Sequence, residues 1–163
     1  MNDLGGDAHK LWDMIKAIGT GMLVSDDNGT LRARPMHTAQ RDFDGSLWFF
    51  TRASSGKVAE VRDDSHVCVS FAEPAKQNYV SVSGTARLVR DQEAIAAHWS
   101  EPMRTWFPKG KTDPDIALLE VQVTMGEYWD APNSTMLHVY GYAKALATGE
   151  APHPGDNQKV RVG

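Results

Sequence analysis

The stretch from Trp48 to Val61 constrains the fold more than any other part of the chain. It opens as an apolar strand, Trp48-Phe49-Phe50-Thr51, and closes as a helix from Gly56 with Val58 and Val61 on one side. Only Arg52-Ala53-Ser54-Ser55 lies between, so a helix N-terminus must sit directly at the end of a buried strand. The first turn of a helix has N–H groups without helical partners, and the helix dipole favours an anion there. Thr51 and Ser55 add hydroxyls and Lys57 adds a full positive charge. Those are the parts that hold a phosphate group at a helix start. A structural reading competes with this one: Ser54 and Ser55 are good N-caps with or without a ligand, and Lys57 is then a solvated helix lysine.

The remaining features bound what such a junction can belong to. A chain of 163 residues is about one domain and buries a sizeable core without staples. Its net charge of −4 argues against a general binder of nucleic acid or of anionic membranes, which needs a basic face. No apolar run has the length of a membrane helix. Met1 to Asp7 lacks the basic and apolar regions of a signal peptide, and Cys68 has no second cysteine to pair with, so a cytoplasmic location is expected. Cys68 lies in an alternating strand and reads as a structural thiol rather than a nucleophile. The six histidines are scattered without the helical spacing of metal ligands, so no metal site is expected.

Periodicity predicts a helix over 9–18, with Leu11, Met14, Ile15 and Ile18 on one face and Asp7 as its cap. Strands over 22–25 and 31–35 flank Asn28-Gly29, a strong hairpin turn. The second of these continues over 36–41, and a strand over 47–51 follows. After the helix over 56–62 come strands over 67–72 and 79–89, the latter with a bulge at Gly84. Asp91 caps a short helix reaching Trp99, and an irregular aromatic segment runs over 101–111. A strand over 118–124 follows, and Glu127 to Asp130 begins or forms part of one more. A final helix is expected from a cap at Ser134 to about Ala147, before a polar tail. Six or seven short strands with two or three helices, and no strand–helix alternation, imply a mainly β (α+β) antiparallel barrel with peripheral helices. One domain is expected over 8–150, with flexible termini at 1–7 and 151–163.

In order and spacing these elements resemble the FMN-binding split barrels related to pyridoxamine 5′-phosphate oxidase. The resemblance covers most of 11–148. It is densest in Arg32-Ala33-Arg34-Pro35-Met36, in Phe50-Thr51 with Ser55-Gly56-Lys57, and in Tyr79 to Gly84. Glu127-Tyr128-Trp129-Asp130, followed by the expected helix and Thr148-Gly149-Glu150, resembles the general stress protein 26 branch. The resemblance implies FMN at the interface of a homodimer, with FAD or a deazaflavin open in its place.

It also implies cofactor-binding residues. Arg34, Pro35 and Met36 would run along the ring system, the choice between Arg32 and Arg34 depending on which faces inward, with Arg34 favoured. Phe50, Thr51, Ser55, Gly56 and Lys57 would hold the phosphate. The oxidase branch has a basic residue where this chain has Gly56, so one charge is missing here. Tyr79 would contact the flavin or sit in the core, and Trp129 would cover the cofactor or pack the dimer interface. The run from Trp106 to Gly110 is either a lid or a hydrophobic anchor under a loop. His37 and Gln40 lie near the ring without a clear catalytic role, so the catalytic residues stay unassigned. Two functions follow: a flavin-dependent oxidoreductase of unknown substrate, or a flavin-binding stress module without turnover. Pyridoxamine 5′-phosphate oxidase activity is not expected, because Lys159 and Arg161, the basic residues near the C-terminus, fall in the expected loose tail.

Overall fold

The structure is a computed structural model and describes residues 5–130, 144, 146–149 and 156–162. The hairpin at Asn28-Gly29 forms first in chain order. Both residues have positive φ, 52° and 86°, which matches the twist of the two strands they join. Those strands are β1 (Thr20–Asp27) and β2 (Thr30–His37), paired antiparallel through Asp27 and Thr30. Helix α1 (Gly6–Ile18) precedes them. It starts at Gly5 without a side-chain cap, and Asp7 lies inside its first turn rather than capping it.

Strand β3 (Ser46–Arg52) leads into helix α2 (Gly56–Asp63), then β4 (His66–Glu73) and β5 (Asn78–Val89). Helix α3 (Gln92–His98) follows, with the Asp91 carboxylate accepting a bond from the Ala94 N–H, as a cap should. The segment between α3 and the next strand is built from tight 3-10 turns at Glu101–Thr105 and Gly110–Thr112.

The last two strands depart from expectation. Ile116–Asp130 is one continuous strand, β6, not two. Its first half pairs with β3 on one edge, and its second half pairs on that edge with β7 (Asp156–Arg161). The change of partner coincides with an irregularity in the β5–β6 ladder, where Ser83 faces Met125 and Gly84 faces Val123. Thr124 is therefore the extra residue, and its hydroxyl donates to the Ser83 carbonyl. Gly84 is needed opposite it because a Cβ there would lie 2.3 Å from the Gln122 carbonyl oxygen. Strand β7 also corrects the expected loose tail over residues 156–161. Val160 is buried in the main core, and Lys159 and Arg161 stand exposed on either side of it in the same strand. A polar segment reads as a tail because one buried valine gives no periodic signal. The helix expected from Ser134 lies almost wholly outside the described residues.

The sheet order is β2-β1-β4-β5-β6-β3, with β7 also on β6. A bridge between Thr38 and Phe49 and a bond from the Ala39 N–H to the Trp48 carbonyl bring β2 back to β3, so the sheet curls into a split barrel. Leu23, Phe49, Val69, Val82, Leu119 and Val121 fill its interior with residues of α1 and α2. A second cluster of Phe50, Ile95, Phe107, Ile116 and Leu118 lies on the other face of β3 and β6, under α3 and the turns. Burial on both faces explains why Ile116 to Leu119 is an uninterrupted apolar run. No helix among the described residues is long and apolar enough to cross a membrane.

Candidate functional site

The β3–α2 junction is clamped from outside by the loop before β6. Asp115 accepts from both the N–H and the hydroxyl of Ser54, at 3.0 and 2.8 Å, and its carbonyl accepts from the Ala53 N–H. The Ser54 hydroxyl, then its N–H and the nearby Arg52, hold the Asp115 carboxyl below its usual range. With Ser54 committed outward, Ser55 becomes the N-cap residue of α2, and its side chain makes no capping bond. Its hydroxyl lies 3.3 Å from the Thr51 hydroxyl instead, and the Lys57 ammonium donates to that same Thr51 oxygen at 3.1 Å. Two hydroxyls, one ammonium and an N-terminus without a side-chain cap thus meet at one end of the barrel. That donor set is suited to a phosphate, which accepts from several donors and is favoured by the dipole. Burial, and then the neighbouring Arg34 guanidinium, lower the Lys57 pKa, while Glu60 raises it.

Arg34 comes to this junction from β2. Its guanidinium donates to the Ser25 hydroxyl and to Glu60, the latter at 2.5 Å. The Ser25 hydroxyl also donates to the Glu60 carboxylate. Nothing local in the sequence singles out Ser25 and Glu60, one a strand serine and the other a helix glutamate. The available signal was spacing: Glu60 is three residues after Lys57 and so shares its helix face. The Ser25 hydroxyl is the main cause holding the Glu60 carboxyl below its ordinary range; burial opposes it, and Arg34 and Arg32 reinforce it. Arg32 and Arg34 are not separated by facing, because residues two apart on a strand share a side. Both approach Glu60, Arg32 at 3.7 Å, and what differs is depth: the side chains are 59% and 18% exposed.

The other expected residues are distributed around this cluster rather than gathered in it. Gly56 opens α2, and a Cβ there would meet nothing within 4 Å. Phe50 alternates with Thr51 and points into the second cluster, so its side chain lies on the opposite face of β3. Met36 is buried in the main core, whereas Pro35 is exposed on the outer face of β2. Tyr79 and Trp129 are cross-strand partners, but they stand at the far end of β6. Thr51 pairs with Ala117, twelve positions before Trp129. At about 3.3 Å per residue that is roughly 40 Å of strand. Within one chain the Thr51–Lys57 cluster and the Tyr79–Trp129 pair therefore lie twelve strand positions apart.

His37 and Gln40 are held by structural bonds. His37 Nδ1 is 3.0 Å from the Thr20 hydroxyl, and the Gln40 amide bridges the Ser46 carbonyl and the Trp48 N–H. Phe107 is buried as an anchor, while the adjacent Trp106 is exposed and its carbonyl accepts from Arg52. Cys68 is half-buried with its sulfur 3.6 Å from the Ser81 hydroxyl. Cys68, Val24, Ser83 and Thr124 border an open groove of about 520 Å³ on the outer face of the sheet. Among the described residues no three His, Cys, Asp or Glu side chains gather as a metal centre.

Known proteins share this architecture. A general stress protein 26 structure from Jannaschia sp. CCS1 is 28% identical, aligns over 94% of this chain and 97% of its own, and superposes with a TM-score of 0.75. The general stress FMN/FAD binding protein of Xanthomonas citri is 30% identical, with 77% and 89% covered and a TM-score of 0.67. Protein bli-3 of Neurospora crassa is 28% identical over 151 residues, which is 86% of this chain and 71% of that protein. Residues 6–153 match the family described as Pyridoxamine 5'-phosphate oxidase like. A match over that much of the sequence, joined to the curled antiparallel sheet, places the chain: it belongs to the Pyridoxamine 5'-phosphate oxidase like family, and general stress protein 26 structures are among its structural neighbours.

Proposed function

We propose that this protein binds FMN at the interface of a homodimer and acts as a flavin-dependent oxidoreductase. The observation that carries the reading is the β3–α2 junction. There the Ser55 hydroxyl turns from the helix N-terminus towards Thr51, and Lys57 donates to the same Thr51 oxygen. A phosphate placed there meets hydroxyl, ammonium and helix N–H donors together. The flavin of the X. citri relative, FMN or FAD, is the natural source of such a group. When bound, a flavin supplies hydride and single-electron acceptance. Lys57, Thr51 and Ser55 would hold its phosphate, and the β2 backbone beside Pro35 and Met36 would lie along the ring.

The outer surface of the sheet supports the homodimer part of the reading. The outer faces of β1, β4 and β5, with β6 beside them, carry Met22, Val24, Cys68, Ser70, Ser81, Ser83 and Met125, a small and largely uncharged surface. Met22 and Met125 are each about 40% exposed on it. Two such faces packed by a two-fold axis give two equivalent sites. Each site would take the phosphate end from one copy and the Tyr79–Trp129 end from the other.

Carriage or sensing of flavin without turnover is a second reading. It is favoured by the structural bonds that hold His37 Nδ1 and the Gln40 amide.

The test is absorbance of purified protein after FMN addition and desalting, repeated for Lys57→Ala. About one FMN retained per chain is expected. Lys57→Ala should weaken binding by about 10- to 100-fold, as a hydrogen bond to a charged group is worth about 1.5–3 kcal/mol. No retained flavin, or unchanged affinity in the variant, overturns the phosphate assignment. Oxidation of NADH or NADPH with an added acceptor separates oxidoreductase from carrier.

A further inference from the structure

We propose that Glu60 is a resident counter-anion of the phosphate site, occupying the guanidinium of Arg34 when no phosphate is bound and setting how tightly a phosphate binds. The inference rests on the reading of the β3–α2 junction as a phosphate site. Arg34 directs its two terminal nitrogens at Ser25 and Glu60, not at Thr51 or Ser55. Glu60 is buried and fixed from a second side by the Ser25 hydroxyl, so it does not swing away as a surface carboxylate would. It lies one helical turn beyond Lys57, and it and Arg34 both act electrostatically on the Lys57 ammonium. The groups facing Glu60 are Ser25 from β1, Arg32 and Arg34 from β2, and Lys57 from its own helix. Asp27 is the second carboxylate on Arg32.

A phosphate arriving at Lys57 meets a cation pair already half-neutralised by this carboxylate. Anion and carboxylate then share or compete for the same positive charge, and close like charges repel. Glu60 thereby lowers affinity for the phosphate while contributing nothing to recognition of the ring. A residue that only held α2 in place would affect both parts of the ligand.

The experiment compares wild type with Glu60→Gln, which keeps the size and hydrogen bonds but removes the charge. FMN and riboflavin are titrated by fluorescence, and sulfate binding is read from thermal stabilisation. The expected result is FMN binding about tenfold tighter in Glu60→Gln, riboflavin binding unchanged, and a larger sulfate-induced rise in Tm. Unchanged or weaker FMN binding with no added sulfate effect overturns the proposal. Equal changes for FMN and riboflavin also overturn it, since they mark a structural role. If neither form binds FMN yet sulfate stabilises Glu60→Gln more strongly, the flavin reading fails and the counter-anion role stands. Should Glu60→Gln not fold, sulfate-induced stabilisation is read instead in Glu60→Met, which also removes the charge at a similar side-chain length; a larger rise in Tm than in wild type supports the proposal, and an equal or smaller rise overturns it.

Discussion

Replacing Arg34 by methionine tests the buried triad through stability alone, in protein without cofactor. The substitution retains an apolar stem but leaves the Glu60 carboxylate with the Ser25 hydroxyl and a distant Arg32. Removing one partner of a fully buried ion pair costs about 3–5 kcal/mol. Arg34 keeps some solvent contact and Ser25 remains, so about 2–3 kcal/mol is expected at pH 7. For a domain of this size, each kcal/mol moves Tm by about 2–4 °C, which gives a drop on the order of 8 °C.

The pH dependence gives the sharper test. In the wild type the Glu60 pKa is depressed, so its contribution is present above the unfolded-state value and lost as pH falls through the folded one. In Arg34→Met, burial is opposed by fewer favourable partners, so the carboxyl moves upward and its penalty is relieved as pH falls through the raised value. The Tm gap between the two proteins should therefore narrow between pH 7 and pH 4. A gap constant over that range would mean that lost packing, not an uncompensated charge, causes the effect. No gap at pH 7 would mean that solvent screens the pair as it does a surface salt bridge.

Other expectations follow from single residues. Gly56→Arg adds a cation at the start of α2 where a Cβ meets nothing within 4 Å, so FMN binding should tighten about tenfold by titration while riboflavin binding stays the same. Phe107→Ala should cost about 3–4 kcal/mol in denaturant unfolding because it empties a buried anchor. Trp106→Ala should cost under about 0.5 kcal/mol, because its exposed side chain is not what engages Arg52; a large loss there would assign it a packing role. Val160→Asp places a charge in the main core from β7 and should destabilise by at least about 3 kcal/mol. An unchanged melting curve for that variant would restore the view of 156–161 as a loose tail.

Local chemistry made several of these features readable from the chain. Asn28-Gly29 favours positive φ and so announces its hairpin, and Asp91 directly precedes the short helix that it caps. The alternation over 79–89 has the period of a half-buried strand, and the Trp48 to Val61 segment has the period change of a strand entering a helix. Thr51, Ser55 and Lys57 meet because seven residues of strand end, turn and helix start cannot separate them. Their convergence is local, so the residue types alone carried it.

The rest depended on which strands become neighbours. Residues 125–126 read as a break because a bulge disturbs the alternation, yet pairing to β5 carries β6 straight through them. Val160 becomes core only because the edge of β6 beyond Thr124 lacks β3 and accepts β7 instead. Tyr79 and Trp129 share family motifs with Lys57, but the ladder sets them at the far end of β6. Ser25, Arg34 and Glu60 come from three elements, and no pattern along one element encodes their meeting. The sequence by itself determined the first hairpin, the cap of α3 and the strand-to-helix turn that carries Thr51, Ser55 and Lys57, because those rest on dihedral preference and near-neighbour spacing. Only the tertiary structure decided that the Glu60 carboxylate stands against Arg34 of β2 beside that turn, because long-range strand pairing and helix docking brought the two charges together.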